Sequence, residues 1–249
     1  MERRIVAEFD DSFSDLVQFV EGRRGRIIVG TLQSLGVHIL PAPMARFRRT
    51  YPDVQFRVLG RTASVLADAI EAGDVDFALS TRPTVTGQLN YTELAKDDFV
   101  LVCREDDPLA RETALPWEIF ARYPLVATPP SSSIRPLTDA TFREAGLSIT
   151  PAYECDGELS ICAAMIQEGL GITAVPRLAM SLLGTDALAA IPLCKPSTGR
   201  SIGLIQHMGC SLSTAATRFR DQLENTIGRC AKAHSCPRNP TMRSKSFSI

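Results

Sequence analysis

The chain runs through one alternation of short apolar runs and amphipathic stretches twice over, and this constrains its fold more than any single motif. In the first pass, Ile27-Ile28-Val29-Gly30-Thr31 is a continuous apolar run, as expected of a strand covered on both faces. Ile39, Leu40, Met44 and Phe47 then recur at helical spacing up to Tyr51-Pro52. Pro41 and Pro43 have to sit near the start of that helix. Val54 to Leu59 forms the next strand, and Thr62 stands where it can cap a helix carrying Val65, Leu66, Ala69 and Ile70. Gly73 stops that helix, and Val75 to Ser80 completes a β-α-β-α-β unit over residues 26–80. Crossovers of this kind are right-handed and make a parallel sheet.

The second pass spans about 124–175. Leu125–Ala127, Ala152–Cys155 and Ile172–Val175 read as strands. Between them lie one helix with Leu137, Thr141 and Phe142, closed by Gly146, and another with Leu159, Cys162, Ala163 and Ile166, closed near Gly169. Extended runs at Leu89–Leu94 and Phe99–Val102 join the units, and a helix over Leu178–Leu183 and strands at Leu188–Leu193 and Ile202–Gln206 follow the second. A last helix runs from Ser213 to Arg229 with Ala216, Phe219, Leu223 and Ile227 as its stripe. The reading is an α/β chain of two Rossmann-like lobes with a hinge and an interlobe cleft. Lobe I comprises 26–102 plus 200–230 and lobe II 103–199. The chain crosses near Val102–Arg104 and returns near Gly199–Ile202. Residues 1–25, with Phe13, Leu16, Val17 and Val20 in one stripe, read as the end of a linker helix and a connector. The polar residues 231–249 read as a disordered tail.

Composition narrows the function. A net charge of −1 gives no broad positive field for nucleic acid or membrane. No apolar stretch is long enough to span a bilayer, and the acidic N-terminus does not look like a signal peptide, so a cytoplasmic protein is expected. The seven cysteines include no C-x-x-C pair and read as buried, reduced thiols, with neither disulfides nor a metal site implied. His38, His207 and His234 have no neighbours at triad or metal-ligand spacing. Nucleophile-elbow, P-loop and zincin motifs are missing, and Cys103 has no support as a nucleophile, so no enzyme and no cofactor are expected. Asp97-Asp98 and Asp106-Asp107 read as turns.

In open parallel sheets, ligands bind beyond the carboxyl ends of the strands. Here those ends carry Thr31, Leu32 and Gln33, then Thr62, then Ser80 and Thr81, and in the second unit Ser131, Ser132 and Ser133. The hydroxyls precede helices, whose free N–H groups favour an anion. The expected ligand is therefore a small metabolite with a carboxylate or another anionic group, with Arg82 and Arg135 as candidate fork partners. Thr62 and Ser133 are equally placed to serve only as helix caps.

Together these residues resemble the effector-binding domain of LysR-type transcriptional regulators. The resemblance rests on Arg26–Thr31, Leu40-Pro41, Phe47-Arg48-Arg49-Thr50-Tyr51-Pro52-Asp53-Val54, Gly73-Asp74-Val75-Asp76-Phe77-Ala78-Leu79 and Asp107-Pro108-Leu109-Ala110. It continues through Ile166-Gln167-Glu168-Gly169-Leu170-Gly171-Ile172 and Val175-Pro176, and so covers about 200 residues. It implies a periplasmic-binding-protein-like fold of the second type, an effector cleft lined by Thr31 to Gln33, Thr62, Ser80 and Ser131 to Ser133, and homodimers or tetramers. It also implies DNA contact only through a helix-turn-helix that these 249 residues do not contain. The alternatives are a stand-alone solute-binding protein of the same fold, an enzyme built on it, and an oligomerising regulator fragment without DNA binding.

Overall fold

The computed structural model describes residues 22–83, 87–184 and 187–234, with side chains as far as Ile227. The first unit opens with β1 (Arg24–Thr31), α1 (Gln33–His38), α2 (Pro41–Thr50) and β2 (Asp53–Gly60). It closes with α3 (Ala63–Glu71) and β3 (Phe77–Thr81). The sixteen-residue strand β4 (Leu89–Arg104) follows, then a 3-10 turn (Pro108–Arg111), β5 (Leu115–Pro116) and a second 3-10 helix (Trp117–Ala121). The second unit holds β6 (Val126–Ala127), α4 (Arg135–Glu144), β7 (Tyr153–Glu154), α5 (Leu159–Gln167) and β8 (Thr173–Pro176). A third 3-10 helix (Arg177–Leu182), β9 (Leu188–Cys194), β10 (Gly199–His207) and α6 (Thr214–His234) complete the described chain.

The repeated grammar is present as read, with local differences. The one helix expected after β1 is two, because the turn at Ile39-Leu40 lets Pro41 start a fresh helix where its missing N–H costs nothing. The two runs expected between the units are a single strand, β4. The helix expected at Leu178–Leu183 is 3-10 rather than α. Beyond Arg229 the last helix continues to His234, so residues 231–234 are helical. The linker-helix reading of residues 1–21 and the tail reading of 235–249 lie outside the described residues.

β1 pairs in parallel with β2 and β3, as the crossover rule requires. The main sheet runs β2-β1-β3-β10-β4-β9-β5, with β8 also on β4. β6 pairs in parallel with β7, and Leu125 bridges in parallel to Ile172. That bridge requires a glycine at position 171. Its φ is +156°, and a Cβ there would lie 2.2 Å from the Pro124 carbonyl oxygen.

Two separate buried clusters form. One joins Ile27, Phe47, Phe77 and Leu79 to Leu204, Phe219 and Leu223. The other gathers Phe99–Cys103, Trp117, Phe142, Ile166 and Val175. The apolar residues of β4 divide between them: Leu94 and Ala95 pack on the first cluster, while Phe99 to Cys103 sit in the second. β4 pairs with β10 over 89–98 and with β8 and β9 over 99–104. The crossing therefore falls at Asp98/Phe99, a few residues before the Val102–Arg104 expected from sequence.

Asp97 and Asp98 do not form a turn. They lie in mid-strand on β4, opposite Arg200 and Gly199 of β10. The side chains of Asp97 and Arg200 are each only 2% exposed, and Arg200 Nη2 donates to Asp97 Oδ2 at 2.9 Å. Arg200 Nη2 also donates to Ser34 Oγ on α1 at 2.7 Å. Asp97 Oδ1 accepts the Leu178 amide at 3.1 Å. Burial pulls the Arg200 guanidinium below its usual pKa, against the opposing pull of Asp97. The pair thus ties both chain crossings to α1 of the first unit and to the 3-10 helix of the second.

Of the five cysteines whose side chains are described, Cys103, Cys155 and Cys162 are buried and free, as expected. Cys194 is half-buried and Cys210 exposed, which corrects the reading of a uniformly buried set. Asp106-Asp107 does mark a turn, where Asp107 Oδ1 accepts the Leu109 amide and caps the 3-10 helix.

Candidate functional site

The carboxyl end of β1 turns directly into α1, and these residues make one wall of a cavity of about 310 Å³. Its lining is Thr31, Gln33, Gly36 and Val37 from that turn, Val58 and Gly60 from β2, and Glu158 and Leu182 from the second lobe. That volume lies at the small end of the range for metabolite sites, and the cavity stands between lobes, where such sites collect. Gln33 Nε2 donates across it to Glu158 Oε1 at 3.4 Å. Thr31 is buried and its Oγ1 donates to the Leu32 carbonyl at 3.0 Å. Gly36 allows the close approach of α1 to β1, since a Cβ would come within 2.8 Å of Thr31 Cγ2. Val37 and Val58, 54% and 44% exposed, leave apolar surface open on the first-lobe side.

Of the nine residues singled out from sequence, Thr31 and Gln33 line this cavity. Leu32 is buried, its amide donating to the Leu79 carbonyl at 3.2 Å. Ser80 is fully buried at the carboxyl end of β3, and its Oγ has no hydrogen-bond partner among the described residues. Thr81 next to it is half-buried. Thr62 occupies the N-cap of α3 but makes no capping bond, and its hydroxyl lies 3.4 Å from Ser64 Oγ. Ser131, Ser132 and Ser133 lie on the second lobe, Ser131 exposed and the other two half-buried. The capping role assigned to Ser133 belongs to Ser132, whose Oγ accepts the Arg135 amide at 3.1 Å and lies 2.9 Å from Thr128 Oγ1.

Arg135 is engaged within the protein. Its Nε donates to Asp139, and its Nη1 donates to Glu154 and to the Thr128 carbonyl. Desolvation works against its charge, but Glu154 and Asp139 more than offset it and hold its pKa above the usual value. Arg82 lies 3.5 Å from Glu93 and stacks 4.7 Å above the Tyr91 ring. Both arginines expected to fork a ligand carboxylate therefore already have partners.

Sequence reasoning missed Glu158, Gly36, Val37, Val58, Gly60 and Leu182. The carboxyl-end rule could have supplied Glu158, which lies between β7 and α5. Nothing in the sequence signals Val37 or Val58, because an exposed valine at a cleft looks the same as one elsewhere.

A family model described as the LysR substrate binding domain matches residues 21–227. Among curated proteins, the chain is similar to an uncharacterized HTH-type transcriptional regulator YbhD of Escherichia coli K12. The two are 26% identical over 217 residues, covering 87% of this chain and 68% of that protein. It is also similar to an uncharacterized HTH-type transcriptional regulator YfeR of Shigella flexneri, at 29% identity, covering 88% and 70%. In fold it is similar to the effector-binding domain of QuiR in complex with shikimate, with a TM-score of 0.73, 21% identity and coverage of 85% and 99%. It is likewise similar to the Synechocystis PCC6803 CcmR regulatory domain in complex with 2-PG, with a TM-score of 0.73, 18% identity and coverage of 82% and 98%.

Proposed function

Because the chain belongs to the LysR substrate-binding domain family, we propose that it is the sensing part of a transcriptional regulator and holds a small polar metabolite between its lobes. The metabolite carries a carboxylate or other anionic group. The observation that carries this reading is the cavity itself, whose walls come from both sides of the chain crossing. The Ser80 hydroxyl, without a partner among the described residues, supports a polar ligand, since a buried polar group without a partner is costly. The work is binding, not catalysis. A ligand that prefers one lobe arrangement shifts the population toward it and changes how domains pair in a dimer or tetramer in the cytoplasm. Contact with DNA is made through a helix-turn-helix, as the names of the HTH-type relatives suggest.

The test is calorimetry of the full chain against a panel of hydroxy, amino and oxo carboxylates and phosphate esters. Gln33→Ala and Ser133→Ala should each weaken the panel member that binds by about fivefold, the loss of one hydrogen bond. The melting temperature without ligand should hold. Unchanged affinity in both variants overturns the placement of the site.

A further inference from the structure

The cavity between the lobes has a polarity that its hydroxyls alone do not reveal. Among the eight described lining residues Glu158 alone carries charge, while the exposed Arg61 beside them donates from Nη1 to the Gly60 carbonyl at 2.7 Å. Three other arginines are held elsewhere: Arg82 by Glu93, Arg135 by Asp139 and Glu154, and Arg200 by Asp97 and Ser34. Across the gap, the first lobe offers Glu158 a side-chain amide, Gln33 Nε2, at a long 3.4 Å. A neutral donor at that distance leaves most of the exposed carboxylate's hydrogen-bonding capacity, about four lone-pair sites, to solvent or a ligand. Glu158, Val37 and Val58 are all exposed, so the apolar surface of the two valines and the carboxylate beside it are open to a ligand.

We infer that Glu158 is a specificity-determining residue that selects an effector bearing a protonated amine, so that the metabolite is a zwitterion rather than a simple anion. The inference rests on the cleft reading above. The ammonium donates to Glu158 from within the cavity and replaces the long contact from Gln33. Gln33 is then free to accept from the ligand through its own carbonyl oxygen. The aliphatic part of the ligand lies on Val37 and Val58. An oxo acid of the same skeleton places a carbonyl oxygen against the Glu158 carboxylate, where two acceptors repel. A site built for a donor discriminates strongly against the analogue that lacks it.

The experiment compares matched pairs that differ only at this group: glutamate with 2-oxoglutarate, phenylalanine with phenylpyruvate, and leucine with 4-methyl-2-oxopentanoate. Each is titrated calorimetrically into the full chain and into Glu158→Gln, with melting curves of both proteins to establish that the variant is folded. In the wild type, the amino member of at least one pair should bind about tenfold or more tightly than its oxo partner. Glu158→Gln should bring the two within about threefold of each other while the oxo acid holds or gains affinity. Binding of oxo acids at equal or higher affinity in the wild type overturns the inference and leaves the cleft reading standing. So does an amino preference that survives Glu158→Gln. Absence of heat from every pair, with Gln33→Ala and Ser133→Ala equally silent, overturns both.

Discussion

At the scale of single residues, the buried Arg200–Asp97 pair carries more than any other polar contact described. Removing one partner of such a pair strands the other charge away from water, so Asp97→Ala should cost about 3–5 kcal/mol in chemical denaturation. The double change Asp97→Leu with Arg200→Met leaves no stranded charge and should recover most of that loss. A double variant no more stable than Asp97→Ala would show that the Ser34 and Leu178 contacts, not the charges, hold the site together. Nothing near Asp97 in the chain announces the pair. Two adjacent aspartates favour turns, and the partner lies 103 residues away. Glu158 was hidden differently: an acid before a helix looks like an ordinary N-terminal residue until the opposing lobe is in place.

At the scale of elements, period and punctuation carried the reading well. The stripe Ala216, Phe219, Leu223 and Ile227 is the buried face of α6, and Phe219 stacks edge-on against Phe47 and Phe56 at 5.2 and 4.8 Å. The last helix thereby closes the first lobe. Phe219→Ala should destabilise the protein by about 3–5 kcal/mol, measured by denaturant unfolding, because a fully buried ring leaves a cavity its neighbours only partly fill. A loss below about 1 kcal/mol would mean that α6 is a dispensable cover. What periodicity could not supply was continuity. Leu89–Leu94 and Phe99–Val102 show as separate runs because Lys96, Asp97 and Asp98 interrupt the apolar pattern, yet those residues continue the same ladder. Thr62 stands at its helix N-cap as read, but on the second lobe Ser132 rather than Ser133 takes up the free amide of Arg135.

At the scale of the whole molecule, two cores share one strand, and this predicts joint unfolding. Burial pushes the Cys103 and Cys162 thiols up to about 12, and both belong to the second core. At pH 8 only about one part in 10⁴ of such a thiol is thiolate, so alkylation there requires the core to open. Labelling of these two cysteines, followed by peptide mapping across a denaturant series, should coincide with the loss of helical signal as a single transition. The exposed Cys210 should label throughout. Earlier labelling of Cys103 and Cys162 would show that the second lobe opens alone. The two-lobed architecture was legible because α/β units repeat in sequence. The cleft's chemistry was not, because it forms only where residues far apart in the chain meet.

The undivided β4 has a further consequence for how such a chain can diversify. Residues 89–98 pair with β10 and 99–104 with β8 and β9, so a recombination joint anywhere inside 89–104 cuts one ladder or the other. A chimaera that exchanges the second lobe must therefore carry this strand whole, together with the β10 segment that returns beside it. The stretch of chain least free to be shuffled is thus the axle between the lobes, while the loops around the cavity stay exchangeable beside it.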